Sequence, residues 1–178
     1  MMELKNVFLT LNQNSRPLVK NLSFTLNEGD KAAIIGEEGN GKSTLLKYIY
    51  DSSLIKNYCQ FSGDIKAKGK MGYLSQFLDS EWNDEPVINY FLKENANCEI
   101  DFEKYNQIGD VYRIINNLGL DEKILDDNYL ISFLSGGEKV KLQLSKILLN
   151  DCDILLLDEP TNDLDIDTLK WLESFINN

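Results

Sequence analysis

One short segment of the chain has a backbone and side chains suited to binding phosphate groups. Residues 36–44 read Gly-Glu-Glu-Gly-Asn-Gly-Lys-Ser-Thr and match the pattern G-x-x-x-x-G-K-[ST]. Glycine suits Gly36, Gly39 and Gly41 because it takes positive φ and lacks a Cβ, so that backbone N–H groups can approach an anion. We therefore predict a phosphate-binding loop formed by Gly36, Glu37, Glu38, Gly39, Asn40, Gly41, Lys42, Ser43 and Thr44.

Lys42 and Ser43 have separate tasks in such a loop. A helix that starts at Lys42 adds partial positive charge near the β-phosphate, and the Lys42 ammonium reaches the β- and γ-phosphate oxygens. The Ser43 hydroxyl is a ligand for Mg²⁺. The apolar run at residues 31–35 predicts a buried strand before the loop, and residues 43–50 predict a helix after it. The alternative is a glycine-rich surface turn beside a lysine.

A pair of acidic residues follows a second apolar run. Four consecutive apolar residues, Ile154–Leu157, are typical of a strand covered on both faces in a parallel sheet, and Asp158 and Glu159 come directly after them. Ligands of α/β sheets bind at the carboxyl ends of strands. We therefore expect Asp158 to hold Mg²⁺ and Glu159 to polarise an attacking water as general base. The alternative is that the two carboxylates only cap the next helix.

A third segment, Leu-Ser-Gly-Gly-Glu at residues 134–138, predicts the start of a helix. Apolar side chains recur after it at helical spacing, at Val140, Leu144, Ile147 and Leu148. A helix that begins near Gly136 exposes N–H donors to an anion. Ser135 followed by Glu138 also predicts a capping box, which explains part of the segment in purely structural terms.

Together the three segments resemble the motifs of the ATP-binding cassette (ABC) superfamily, and residues 134–138 are similar to its signature motif. The resemblance covers nearly the whole chain. It implies an ATPase in which two cassettes enclose two ATP molecules. Ser135, Gly136 and Gly137 would then contact the γ-phosphate of ATP held by the second cassette.

The same resemblance gives roles to two further parts of the chain. Gln76, after a predicted strand, matches the family glutamine that touches Mg²⁺ or the attacking water, which implies Lys42, Gln76 and Glu159 as catalytic residues. The implied Mg²⁺ ligands are Ser43, Gln76 and Asp158. Residues 161–165 match the family segment whose aspartate, here Asp165, faces the other cassette.

We expect an α/β fold with a phosphate-loop NTPase core of the ABC type, a small N-terminal antiparallel β element and an inserted helical subdomain. The whole chain, 1–178, is expected to form one nucleotide-binding domain. Residues 1–76 and 134–178 would form the core, and residues 77–133 the helical subdomain, with helices over residues 87–93 and 111–118.

The chain departs from the family pattern at two places. Leu11 stands where the family often has an aromatic residue that stacks on adenine, so Leu11 or the loop at residues 12–16 would cover the base. The sequence has no histidine, so the family's switch histidine is absent. Since residues 169–176 still read as an amphipathic helix, we expect the chain to be truncated at its C-terminus and to hydrolyse ATP weakly or not at all by itself.

The composition favours an intracellular protein and excludes several other classes. Three widely spaced cysteines without histidine partners predict neither a disulfide framework nor a zinc site, which suits a reducing cytoplasm. No apolar run approaches the roughly 20 residues that cross a bilayer, so membrane association would need a partner. The net charge of −11 argues against nonspecific binding to nucleic acid.

Three functions fit a cassette of this kind. The string at residues 158–165 is similar to that of the ABC-F group, soluble proteins with tandem cassettes, many of which act on the ribosome; Thr161 and Asn162 favour this group, and Asp163 departs from its usual histidine. The alternative is the ATP-binding subunit of a membrane transporter, with a transmembrane partner beside Gln76. A nonhydrolysing nucleotide switch is disfavoured because Lys42 and Glu159 are present.

Overall fold

The first part of the chain forms a three-stranded antiparallel sheet. The computed structural model describes residues 1–161 and 164–177. Strand β1 (Met2–Leu11) lies between β2 (Pro17–Leu26) and β3 (Cys59–Ala67), and both pairings are antiparallel. Apolar side chains of β1 turn inward, with Met2, Leu4, Val7 and Leu9 buried. A register shift between Leu4 and Val7 keeps both on the buried face although they are three residues apart.

Residues 1–73 and 152–158 form one compact unit, here called the first unit. It contains the three-stranded sheet, helix α1 (Lys42–Tyr50) and strand β5 (Ile154–Leu157), which pairs with β4 (Met71–Leu74). The expected helix over residues 43–50 and the expected strand before Asp158 are therefore both present. One face of α1 packs into the core through Leu45, Tyr48 and Ile49.

The second unit consists of residues 74–151 and 159–178. Residues 162, 163 and 178 of this unit lie outside the described ranges. Its helices are α2 (Val87–Leu92), α3 (Ile108–Asn117), α4 (Gly136–Leu149) and α5 (Ile166–Asn177), and short 3₁₀ turns connect them. The expected helices over residues 87–93 and 111–118 correspond to α2 and α3. Their core is built mainly from Val87, Val111, Ile115, Ile131 and Leu142. The predicted boundaries of a core and a helical insertion stay a prediction.

The strand expected over residues 31–35 is not formed. All five residues are exposed and none is in a strand, and 94% of the Ile35 surface is accessible. An apolar run reports only that a segment is suited to burial, whereas a strand also needs a neighbouring backbone to pair with. Within the described residues the two sheets have the orders β2-β1-β3 and β4-β5, and neither includes this run.

Among residues 1–161 and 164–177, no helix is both long enough and apolar enough to cross a lipid bilayer.

Candidate functional site

The phosphate-binding loop is organised around the side chain of Lys42. Its Nζ donates to the carbonyl oxygens of Gly36 at 2.9 Å and Glu37 at 3.0 Å. Helix α1 begins at Lys42, as expected, with Gly41 as N-cap. The ammonium group and the amino end of the helix therefore lie in the same short loop, where both favour an anion.

Two of the three loop glycines adopt the positive φ that glycine permits. Gly39 has a φ of 75° and Gly41 a φ of 85°. Gly36 does not use this freedom, since it is not in the left-handed region. Gly36 lies before the turn in which the Asn40 N–H donates to Glu37 O, so its backbone does not have to reverse direction. Gly41 is also tightly packed, since a Cβ there would lie 2.9 Å from Leu18 Cβ.

Arg16 is a contact of this loop that the sequence pattern did not reveal. Its guanidinium Nη2 donates to the side-chain Oδ1 of Asn40 at 3.1 Å. Leu11, at the end of β1, donates its backbone N–H to Arg16 O at 2.9 Å and so closes the connection between β1 and β2. The Arg16 guanidinium therefore contacts the phosphate-binding loop from the connection between β1 and β2, which follows Leu11. In the sequence, only the position of Arg16 shortly after a predicted strand could have indicated this contact.

Ser43 and Asp158 meet in the first unit, although they are 115 residues apart in sequence. The Ser43 hydroxyl donates to Asp158 Oδ1 at 2.9 Å. Asp158 is 3% exposed and follows β5 directly, as predicted. Thr44 lies beside Ser43 in the first turn of α1, and Glu37 and Glu38 are exposed in the loop. The two side chains that were each expected to bind Mg²⁺ are thus joined by a hydrogen bond.

Tyr73 is a second partner of Asp158 that the sequence did not indicate. The Tyr73 hydroxyl donates to Asp158 Oδ2 at 3.1 Å. Burial of the ring and the negative charge of Asp158 both raise the pKa of Tyr73 far above its ordinary value. Tyr73 therefore remains a neutral donor at physiological pH and holds the carboxylate of Asp158 in place.

The donors around Asp158 fit a Mg²⁺ ion. A hydroxyl and a carboxylate are hard oxygen ligands, and Mg²⁺ in nucleotide sites is bound by one or two such protein groups together with phosphates and waters. Across residues 1–161 and 164–177 no cluster of three or more His, Cys, Asp or Glu forms a metal site. The residues present therefore suit a metal that arrives with a nucleotide better than one that the protein holds alone.

In the second unit, Gln76 and Glu159 are in direct contact. Gln76 Nε2 donates to Glu159 Oε2 at 3.0 Å. Gln76 follows β4, as the resemblance implied, and Glu159 follows Asp158. Glu159 has a φ of 51°, in the left-handed region that residues with a Cβ rarely adopt. The two residues predicted to act on water are thus joined by a hydrogen bond.

The segment at residues 134–138 forms the start of α4 with the capping box that the sequence predicted. The backbone N–H and the hydroxyl of Ser135 donate to Glu138 Oε2 at 2.8 and 2.7 Å, and the Glu138 N–H donates to Ser135 Oγ at 3.4 Å. These bonds, the hydroxyl contact first, lower the pKa of Glu138. The capping box accounts for Ser135 and Glu138. Gly136, which is exposed, and Gly137, which is half-buried, take no part in it.

A concave surface of about 290 Å³ lies beside this helix start. It is lined by Ser135, Gly136, Gly137, Glu138, Lys141 and Asp165. Lys141 Nζ lies 2.8 Å from Asp165 Oδ2, and the Thr168 hydroxyl donates to Asp165 Oδ1 at 2.9 Å. Bonds from Lys141 and Thr168 hold the pKa of Asp165 well below its usual range. Asn162 and Asp163, which belong to the same predicted motif, lie outside the described residues.

Comparison with known proteins identifies this arrangement. The ABC transporter family model matches residues 19–162, so the chain belongs to the ABC transporter family and is an ATP-binding cassette of the ATPase type. Two solved structures share its fold. An inward-facing metal-chelate type ABC transporter matches 99% of this chain and 67% of its own, with a TM-score of 0.71 and 24% identity. A cassette dimer in a post-hydrolysis state, bound to ADP and Pi, matches 99% and 83%, with a TM-score of 0.70 and 20% identity. The predicted ABC-type α/β fold is confirmed.

Curated relatives carry the same cassette in proteins of different kinds. The erythromycin resistance ATP-binding protein MsrA of Staphylococcus epidermidis is 35% identical over 95% of this chain and 31% of its own length. The ribosome protection protein VmlR of Bacillus subtilis is 31% identical over 99% and 29%. A probable metal transport system ATP-binding protein of Thermotoga maritima is 36% identical over 92% and 62%. The chain spans about a third of the length of the first two relatives.

Proposed function

We propose that this chain is a cassette of an ABC-F type protein that acts on the ribosome and closes on ATP together with a second cassette. The observation that carries the ATP part is the Ser43–Asp158 hydrogen bond of 2.9 Å, because it joins the phosphate-binding loop to the strand-end carboxylate. The ABC-F part is supported by MsrA and VmlR, whose similarity extends over nearly the whole chain. On this proposal the protein works in the cytoplasm.

The residues of the first unit bind the triphosphate. Backbone N–H groups of Gly36 to Gly41 surround the phosphates, and the Lys42 ammonium exchanges its carbonyl partners for phosphate oxygens. Ser43 and Asp158 would hold Mg²⁺, which neutralises charge that develops on the phosphates. Tyr73 keeps Asp158 oriented.

The residues of the second unit act on water. Glu159 accepts a hydrogen bond from the water that attacks the γ-phosphorus, and Gln76 orients the Glu159 carboxylate through their 3.0 Å contact. The oxygen of that water becomes part of the released phosphate, and the bond between the γ-phosphorus and the bridging oxygen breaks to leave ADP. Positioning and charge neutralisation contribute more than proton removal.

A second cassette would complete the site through the start of α4. Ser135, Gly136 and Gly137 offer the exposed amino end of a 14-residue helix to the γ-phosphate bound by the other cassette. The support is the concave surface that these residues line. Closure on two buried triphosphates can shift an open–closed equilibrium by several kcal/mol, and hydrolysis reverses it.

Trapping the closed state tests the proposal. The intact protein carrying Glu159→Gln, incubated with ATP, is expected to sediment with ribosomes in a sucrose gradient. Adding Lys42→Ala to the same protein should abolish the co-sedimentation, because ATP no longer drives closure. Unchanged sedimentation with and without Lys42→Ala would contradict an ATP-dependent action on the ribosome.

One observation favours a second candidate, the ATP-binding subunit of a transporter. The Thermotoga maritima relative is matched over 62% of its length, twice the share found for MsrA. Recovery of the Glu159→Gln protein in a detergent-solubilised membrane complex, and not with ribosomes, would establish this candidate and exclude the first.

A further inference from the structure

A buried amide lies on the apolar face of the signature helix α4. Gln143 is 4% exposed and stands between Leu142 and Leu144, which are 0% and 1% exposed. A polar side chain at such a depth is unfavourable unless hydrogen bonds replace its water. Its partners therefore explain why a glutamine can occupy this position.

Both partner atoms of Gln143 belong to one residue, Ser75. Gln143 Oε1 lies 2.7 Å from the Ser75 hydroxyl, and Gln143 Nε2 donates to the Ser75 carbonyl at 3.4 Å. The same hydroxyl is 2.7 Å from Phe77 O, and with one proton it donates to one of the two acceptors at a time. Ser75 is thus held at its side chain and its backbone by a helix 68 residues further along the chain.

Ser75 immediately precedes Gln76, whose side chain donates to Glu159. We propose that Gln143 is a positioning residue: by fixing Ser75 it sets the direction of Gln76 and, through Gln76, that of the Glu159 carboxylate. Gln143 then couples two parts of the second unit. One is helix α4, which starts with Ser135, Gly136 and Gly137, and the other is the segment that orients Glu159. All of these residues belong to the second unit. The inference rests on the proposed function only for the role of Glu159 in hydrolysis.

Gln143→Met separates positioning from packing. Methionine has nearly the same shape, so it fills the site but makes neither hydrogen bond. Ser145→Ala is the matched control, because Ser145 is also fully buried on α4 and its hydroxyl donates only within the helix, to Lys141 O at 2.8 Å. Ser75→Ala removes the hydroxyl contact with Gln143 Oε1 from the other side, keeps the backbone carbonyl to which Gln143 Nε2 donates, and leaves the buried residues of α4 unchanged.

Hydrogen–deuterium exchange tests the contact without any need for turnover. In the intact protein, peptides that cover residues 74–78 are expected to exchange about fivefold faster in Gln143→Met than in wild type, since the segment loses both contacts with α4. Ser75→Ala should also exchange faster than wild type, by a smaller factor, because the Ser75 carbonyl still accepts from Gln143. Ser145→Ala should exchange like wild type. Equal exchange in all four proteins would overturn the inference.

Kinetics then test whether the effect passes through Gln76. Gln143→Met should lower kcat about tenfold and change the Kd of ATP by less than about twofold, because a misaimed group impairs the chemical step and not binding. In a Gln76→Ala background the same substitution should change kcat by less than about twofold. A full tenfold loss of kcat in the Gln76→Ala background would overturn the inference. Turnover at the wild-type rate by Lys42→Ala and Glu159→Gln would instead overturn the proposed function, and the exchange result would be unaffected.

Discussion

The ammonium group of Lys42 donates to Gly36 O and Glu37 O, and a bound triphosphate competes for it as a far stronger acceptor. We therefore expect Lys42→Ala to remove most of the stabilisation that ATP gives to the fold. At a ligand concentration 100 times the Kd, wild type should gain about 2.7 kcal/mol. Thermal shift with and without Mg-ATP measures this gain. Lys47→Ala, on the same helix, is the control and should keep it; equal shifts in both variants would contradict the binding role of Lys42.

Glu138 gives a prediction about pH. Hydrogen bonds from Ser135 lower its pKa below the ordinary value of 4.5, so the ionised carboxylate stabilises the folded state above that pH. This contribution is lost as the pH falls through the lowered folded pKa. Glu138→Gln keeps an acceptor for the cap but does not titrate, so its free energy of unfolding should depend less on pH in this range. Urea denaturation between about pH 2 and pH 6 measures the difference.

Ser135→Ala provides the matched test of the same cap. It removes the hydroxyl that both donates to Glu138 and accepts from its N–H, and it should destabilise the protein by about 1 kcal/mol at neutral pH. Its pH dependence should be less steep than that of wild type but steeper than that of Glu138→Gln, because the Ser135 backbone N–H still donates to the Glu138 carboxylate. A variant with the steep wild-type profile would show that another carboxylate is responsible.

Single residues divide into those that motifs predict and those that they do not. The sequence predicts a site at Lys42, Ser43, Asp158 and Glu159 because phosphate and metal chemistry restricts which residue types can occupy these positions. Tyr73 was missed because a tyrosine in a strand has no distinctive spacing, and its contact with Asp158 depends on the pairing of β4 with β5. Long-range contacts of this kind leave no local pattern.

Among the elements, the phosphate-binding loop allows a direct comparison of two glycines. Both have positive φ, but a Cβ at Gly39 would meet no atom within 4 Å, whereas one at Gly41 would overlap Leu18. Gly39→Ala should therefore cost about 1–2 kcal/mol for the left-handed backbone alone. Gly41→Ala should cost more and weaken ATP binding further. Denaturant unfolding and ATP titration of the two variants measure this; equal losses would mean that the Leu18 contact yields easily.

Helices were predicted more reliably than strands. The apolar spacing of α4 and the helix start at Lys42 are local properties, and both were confirmed. The run at residues 31–35 looked like a strand of the same type as β5, yet only β5 has a paired neighbour. The sequence of an apolar run does not show whether a neighbouring strand will pair with it, so this difference could not be predicted.

At the scale of the whole molecule, each unit has its own hydrophobic core. Leu4 is 1% exposed in the first unit and Ile115 is 0% exposed in the second. Truncating either to alanine leaves a cavity, so Leu4→Ala and Ile115→Ala should each lower the free energy of unfolding by about 2–5 kcal/mol. Ile166→Ala, at a position 69% exposed, should change it by less than about 0.5 kcal/mol. Urea unfolding followed by circular dichroism measures all three, and a negligible effect of either core substitution would contradict that core.

The ABC-type fold could be predicted because three motifs occur in the family order along one chain. The division of the chain into two units could not be predicted. Helix α4 joins the second unit through contacts between residues far apart in sequence, such as Gln143 with Ser75. Motif order gives the identity of the parts, and packing decides which of them share a core.

Glu159 occupies a backbone conformation that glycine and asparagine adopt more easily than glutamate does, with a strain of about 1–2 kcal/mol. On the proposed function, in which Glu159 acts on the attacking water, selection for turnover and selection for stability therefore act in opposite directions at this position. A library of this protein screened only for resistance to heat should accumulate Glu159→Gly and Glu159→Asn and lose hydrolysis as it does so. An engineer who wants a thermostable, active cassette must hold Glu159 constant and seek stability elsewhere.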